Sequence, residues 1–298
     1  MSLPAAPFGR VLTAMITPFT SEGAVDLDGA ARVATHLADH GNDGIVVSGT
    51  TGEAPTTTIA EDGDILRAVI EAVGDRCTVL AGIGTNDTPH SIELAHQAQA
   101  AGADGALLVS PYYSKPSQAG IAAHFEAIAA ETDLRIMLYD IPGRTGVTIA
   151  PETFARVATD EKFVAVKDAV GDLFRGVRIM QETGLSYYSG DDVLNLGWLT
   201  HGGAGVVSVV GHVAGEQYAD MVARVDANDL DGALKVYTEL VPVVDAIMGQ
   251  APGVMTAKAA MQLLGVHDNR AVRLPLVEAD DTLVDVVRTA LNEAGLLS

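Results

Sequence analysis

Eight short apolar runs, separated by longer amphipathic stretches, recur across the first 210 residues and leave this chain very few ways to fold. The runs are VLTAMIT (11–17), GIVVSG (44–49), TVLAGIG (78–84), GALLVSP (105–111), RIMLYDIP (135–142), FVAVK (163–167), SYYSG (186–190) and GVVSVV (205–210). Most are apolar at nearly every position, the pattern of strands covered on both faces, as in a parallel sheet. Segments 27–40, 62–74, 91–102, 118–131, 151–158, 173–183 and 193–201 read as the helices between them. Eight such units predict an α/β chain closed into a (β/α)8 barrel of the TIM type. A doubly wound sheet gives a similar pattern but is the weaker match. Three further helical segments, 230–248, 254–264 and 278–295, follow without a Gly/Ser-rich linker or a charged block. The expected organisation is a catalytic barrel over residues 1–225 and a C-terminal helical region over 226–298, packed on the barrel or on another subunit.

Composition narrows the functions. There are 39 acidic and 18 basic residues, a formal net charge of −21. Such a surface repels nucleic acid and anionic lipid, while local charges still permit a small anionic substrate. No charge-free run approaches the ~18–20 residues of a membrane span. The opening MSLPAAPFGR lacks a basic region followed by a long apolar segment, so no signal peptide is expected. The single Cys77 excludes an intrachain disulfide and fits a reducing cytoplasm. HExxH is absent, and His36 and His40, four apart, read as a partly exposed helix face rather than a metal site. GIGTND (82–87) lacks the last glycine of a dinucleotide fingerprint, and neither a P-loop nor GxSxG is present.

The chemistry-bearing residues gather where the strands end. Those ends are Thr17-Pro18, SGTTGE (48–53), SPYYSKP (110–116), LYDIPGRTG (138–146), Lys167-Asp168, SGDD (189–192) and Ser208. In a barrel they share one face, the face on which active sites form. Lys167 is one of only five lysines and closes the apolar run FVAV. Burial of its stem lowers its pKa and frees the amine to attack a carbonyl, giving an iminium that serves as an electron sink. A purely structural lysine, paired with Asp168, is the competing reading, weakened because neighbouring strand residues point to opposite sides. Tyr139 ends the adjacent strand, where a phenol can move protons. The GTTGE turn offers backbone amides and threonine hydroxyls to a carboxylate. Arg144, inside PGRTG, offers a bidentate grip on a second one. Taken singly, each of these has an ordinary structural explanation: a rim tyrosine, a βα turn, a surface arginine.

Together, Lys167, Tyr139, GTTGE, the YY pair at 112–113 and PGRTG make the chain resemble the dihydrodipicolinate synthase family. This is a group of class I pyruvate aldolases that includes N-acetylneuraminate lyase. The resemblance runs from about Gly9 to RLPL (273–276). It implies that pyruvate forms a Schiff base on Lys167 and condenses with L-aspartate-4-semialdehyde to 4-hydroxy-tetrahydrodipicolinate, on the route to diaminopimelate and lysine. It implies no metal and no cofactor beyond that covalent adduct. It assigns Thr50, Tyr139 and Tyr113 to a proton relay and Thr50 and Thr51 to the pyruvate carboxylate. It assigns Arg144 to the carboxylate of the semialdehyde, and Gly190 and Val207 to the pocket through their backbones. In the family Tyr113 reaches into a neighbouring subunit, which implies a dimer unit, usually paired into a homotetramer. PGRTG, and Ala169 two positions after the lysine, favour a synthase over a lyase that splits 2-keto-3-deoxy sugar acids. A keto-acid sensor without catalysis is the remaining alternative. Val170 and GHVAG (211–215) depart from the family pattern. Ala54, Ile59 and His90 stand where lysine-inhibited relatives carry polar or acidic residues, although Asn86 and Tyr112 remain. Weak or absent lysine inhibition is therefore expected.

Overall fold

The computed structural model describes residues 5–297; Met1–Pro4, part of the opening segment judged for a signal peptide, lie outside it. Eight parallel strands close a barrel in chain order: β1 (Val11–Ala14), β2 (Gly44–Val47), β3 (Thr78–Gly82), β4 (Gly105–Val109), β5 (Arg135–Asp140), β6 (Phe163–Asp168), β7 (Ser186–Ser189) and β8 (Gly205–Ser208). β8 pairs with β1 to complete the ring. Twelve α-helices are assigned among the described residues: α1 (Leu27–Asp39), α2 (Ile59–Val73), α3 (Thr88–Ala101), α4 (Gln118–Ala129), the single turn α5 (Pro142–Thr145), α6 (Pro151–Val157), α7 (Leu173–Thr183), α8 (Asn195–Thr200), α9 (Gly211–Asp226), α10 (Leu230–Met248), α11 (Gly253–Leu263) and α12 (Asp281–Glu293).

The strands are mostly apolar because each has two buried faces with separate partners. Leu12, Ala14, Val46, Leu80, Leu107, Met137, Ala165 and Val207 fill the barrel interior. Their neighbours Ile45, Val47, Val79, Ala106, Leu108, Leu138 and Val166 pack outward against the helices. The period of two along each strand divides these layers. Lys167 and Tyr139 follow the inward phase; Asp168 and Asp140 follow the outward one. Asp140 meets Arg175 of α7 at 3.3 Å.

The differences from the sequence expectations have local causes. Most strands end earlier than the apolar runs, because their last residues turn into the loops at the mouth; Ile16, for example, donates its N–H to His212 Nε2 at 3.1 Å rather than to a strand. α2 starts at Ile59 rather than 62, since Thr58 and Glu61 form a reciprocal capping box. α9 was not anticipated. Its glycines, which obscure the helical pattern, are there for close packing. A Cβ on Gly211 would lie 2.1 Å from Thr13 Oγ1, and one on Gly215 2.3 Å from the His40 carbonyl oxygen. α10 and α12 share an apolar cluster with Val11 and Val206 of the barrel, through Val236, Leu240, Val243, Val287 and Leu291. No single helix among the described residues is long and apolar enough to cross a membrane. The His36 ring contacts the His212 carbonyl oxygen at 3.0 Å, and His40 Nδ1 contacts the His36 carbonyl oxygen at 2.7 Å.

Candidate active site

The register of β5 and β6 sets Tyr139 directly opposite Lys167. Both side chains therefore enter the barrel interior at one level, near the C-terminal mouth. Lys167 is only 5% exposed, and its Nζ lies 4.5 Å from the centre of the Tyr139 ring. It forms no ion pair among the described residues. Burial lowers its pKa to about 8; the Asp192 carboxylate opposes that shift and the Arg144 guanidinium adds to it. At pH 7 such an amine is about one-tenth uncharged, against a few parts in ten thousand for an ordinary lysine. Burial drives the Tyr139 phenol well above its usual range, so it stays protonated and available as a donor.

The walls come from the turns that follow the strands. The SGTTGE turn has two non-glycine residues in left-handed conformation, Ser48 (φ 52°) and Glu53 (φ 58°). Thr17, in the loop just past β1, donates its hydroxyl to the Gly52 carbonyl at 2.6 Å. Gly82 leaves room for the same turn, since a Cβ there would sit 2.2 Å from the Ser48 carbonyl oxygen. Gly190 has a comparable reason: its Cβ would come within 2.8 Å of Lys167 Cγ, and its N–H donates to the Asp168 carbonyl at 2.7 Å. Any side chain at 190 would displace the lysine stem. Arg144 sits on α5 and is exposed, without an ion pair among the described residues.

Lys167, Tyr139, Thr50, Thr51, Arg144 and Gly190 line one cavity of about 510 Å³. Two of the sequence candidates lie elsewhere. Val207 is buried in the barrel interior, and Val209, two residues on, reaches the cavity wall. Tyr113, with φ 71°, is 88% exposed and borders an adjoining cavity of about 670 Å³, which also touches Thr50, Tyr139 and Arg144.

Sequence reasoning assigned no role to two parts of the wall. Asp191 lines the cavity, and Asp192 behind it accepts from the Tyr218 hydroxyl at 3.0 Å, from the Val209 N–H at 3.0 Å and from the Ser208 hydroxyl, tying β7 to β8. SGDD at a strand end was the available signal. The end of α10 closes the far side with Val244, Asp245, Met248 and Gly249. No local motif marks those positions; only the packing of the C-terminal helices brings them there.

A desolvated, unpaired amine facing a protonated phenol at the mouth of a parallel barrel equips an enzyme of the Schiff-base lyase type. The chain belongs to the dihydrodipicolinate synthetase family, whose profile it matches over residues 7–294. It is 56% identical to 4-hydroxy-tetrahydrodipicolinate synthase of Kineococcus radiotolerans over 98% of this chain and 95% of the relative. It is 55% identical to the enzyme of that name from Acidothermus cellulolyticus, over 99% and 95%. Among solved structures, the Cyanidioschyzon merolae enzyme with lysine bound superposes with a TM-score of 0.94 at 42% identity, covering 98% of this chain and 100% of that one. The Acinetobacter baumannii enzyme complexed with pyruvate gives 0.93 at 32% identity, over 97% and 100%.

Proposed function

We infer that the chain is a 4-hydroxy-tetrahydrodipicolinate synthase, condensing pyruvate with L-aspartate-4-semialdehyde in lysine and diaminopimelate biosynthesis. The observation that carries the chemistry is Lys167, buried, unpaired and facing Tyr139 across one cavity. In the proposed sequence, the GTTGE turn takes the pyruvate carboxylate through Thr50 and Thr51. The free amine of Lys167 adds to the ketone carbon, and water leaves to give an iminium. Loss of a methyl proton yields the enamine, whose carbon attacks the aldehyde. The semialdehyde's own amine then displaces Lys167 and closes the ring, so one water is released per turnover. Tyr139 moves protons in these steps together with Thr50 and Tyr113 of the partner subunit, because an exposed tyrosine beside the mouth suits a residue that completes a neighbouring site. A dimer, paired into a tetramer, follows from that role. Arg144 holds the semialdehyde carboxylate, and the backbone of Gly190 borders the bound keto acid, with Val207 beneath it in the barrel interior. The iminium formed on Lys167 is the electron sink, so the scheme requires no cofactor or metal. The barrel over 1–225 carries the reacting groups and the helices over 226–298 close and support the site. The expected location is the cytoplasm.

Weak lysine inhibition belongs to the same reading. Ala54, Asn86, His90 and Tyr112 line the adjoining cavity, and its one acidic side chain, Asp62, already accepts from Thr57 at 2.7 Å. Sub-millimolar lysine that abolished turnover would refute this.

The decisive experiment is borohydride reduction in the presence of pyruvate, followed by peptide mass mapping. A reduced adduct is expected on Lys167 and absent in Lys167→Ala. Turnover with semialdehyde, lost in Arg144→Ala, then separates the synthase from a sugar-acid lyase. No adduct in the folded protein would remove the mechanism.

A further inference from the structure

Behind the GTTGE turn lies a second buried lysine that the reaction does not use. Lys258 on α11 donates to Glu53 Oε1 at 2.5 Å and to the Ala271 carbonyl at 2.7 Å, with its Nζ 4.0 Å from the centre of the Phe19 ring. Both Lys258 and Glu53 are buried. The other Glu53 oxygen accepts the backbone N–H of Arg273 at 2.9 Å. The Arg273 side chain continues the attachment, donating to the Thr56 carbonyl at 2.8 Å, to Gly23 at 2.9 Å and to both oxygens of Glu61 at 2.6 and 3.0 Å. Lys258 is 2% exposed and its amine is taken up by Glu53 and the Ala271 carbonyl, which keeps it from substrate.

Glu53 follows Thr50, Thr51 and Gly52 directly, and it is one of the two residues held left-handed around the turn. Such conformations persist only where surrounding contacts fix them. Those contacts come from the two ends of the chain: Thr17 near the start holds Gly52, while Lys258 and Arg273 near the end hold Glu53. A staple needed only to dock helices on a barrel has no reason to end on a strained residue next to carboxylate-binding threonines. The apolar cluster joining α10 and α12 to β1 and β8 already performs that docking.

We propose that the buried Glu53–Lys258 pair is a positioning device for the pyruvate site, by which the C-terminal helices hold the Thr50–Thr51 amides and hydroxyls in register with Lys167. Neither residue touches substrate. The proposal rests on the assignment of the GTTGE turn to the pyruvate carboxylate, and Thr51→Val tests that assignment separately.

The experiment is steady-state kinetics on the full-length double variant Glu53→Gln/Lys258→Met, which removes both charges and leaves neither one buried alone. KM for pyruvate is expected to rise about tenfold while KM for the semialdehyde stays within about twofold, because Arg144 sits on α5, outside this attachment. The pH at which pyruvate addition reaches its plateau is expected to stay put, since Lys167 keeps its surroundings. A folded double variant with unchanged KM for pyruvate, or with equal losses on both substrates, overturns the proposal. Should the double variant fail to fold, Glu53→Asp, which keeps both charges but shortens the reach by one methylene, carries the same test and the same two outcomes. If Thr51→Val leaves KM for pyruvate unchanged, the turn assignment itself fails. If Thr51→Val raises it while the Glu53 variants do not, only the positioning role fails.

Discussion

Two lysines in this molecule share a depressed pKa and differ in everything else that matters. Desolvation brings both Lys167 and Lys258 to about 8. Lys167 lies near the end of a strand, faces a cavity and has no carboxylate partner among the described residues. Lys258 lies on a helix, closed in by the Glu53 carboxylate, the Ala271 carbonyl and the Phe19 ring. A shifted pKa thus does not by itself mark a nucleophile. Open space beside the amine and the absence of an ion-pair partner mark it. In Lys258 the same desolvation is a cost that the paired carboxylate offsets, and the pair is spent on holding backbone in place.

The largest expected effect separates the two in activity. Lys167→Met should lose turnover by at least roughly 10⁴-fold with little change in melting temperature, as expected when a nucleophile is deleted. Stopped-flow or coupled assays measure this, and residual activity within about a hundredfold of the parent would place the nucleophile elsewhere. The reverse holds for the second lysine. Lys258→Met leaves Glu53 buried without its partner, a loss of about 3–5 kcal/mol. Denaturant unfolding should report it, and restoring the balance with Glu53→Gln should recover most of it. If Lys258→Met were as stable as the parent, the pair would carry no load and the contrast would collapse.

A milder test exploits the shared pKa. Lys167 is nucleophilic only when uncharged, so the rate of pyruvate addition at sub-saturating keto acid should rise about tenfold per pH unit below pH 8 and level off above it. An ordinary lysine would keep rising toward ~10.4. Lys258, without access, should contribute nothing to this profile. A plateau delayed beyond pH 9.5 would mean that the Lys167 stem is better hydrated than its 5% exposure indicates.

The barrel was legible in the sequence because parallel strands covered on both faces disfavour polar positions, and mostly apolar runs therefore recur along the chain. Lys167 was legible for the same reason: a charge at the end of FVAV violates the rule that the rest of the run obeys. Tyr139, the GTTGE turn and Arg144 were legible as strand ends, which topology brings to one mouth; Gly190 entered as a site residue only through the family resemblance. What stayed hidden depends on contacts between segments far apart in the chain. α9 was masked by glycines that serve close approach to β1 and α1. Met248 and Gly249 reach the cavity only because α10 folds back over the barrel. The Glu53–Lys258 pair joins residues 205 positions apart. Val207, assigned through a family resemblance, lies in the barrel interior beneath the cavity wall formed by Val209.

The smallest expected effect tests the division between the two faces of β6. Asp168 adjoins Lys167 in sequence but points outward, accepting N–H groups from Val170 at 3.1 Å and Gly171 at 3.4 Å through one oxygen while the other is buried without a partner. Burial first, and the Asp140 carboxylate after it, raise its pKa to about 6, with the N–H groups of Val170 and Gly171 and then the Arg175 guanidinium opposing. Because the folded-state pKa lies above the unfolded value, stability from the neutral carboxyl is fully present below about pH 4 and is lost as pH rises through 6. Asp168→Asn imitates the neutral form at every pH. It should therefore melt higher than the parent at pH 7, by at most about 2–3 kcal/mol, with the difference vanishing near pH 4. The pyruvate-addition profile should not move, since the Asp192 carboxylate and the Arg144 guanidinium, not Asp168, are the charges that act on Lys167. A shifted profile would show that the outward face speaks to the amine after all, and the alternation that places the nucleophile inside the barrel would no longer account for its isolation.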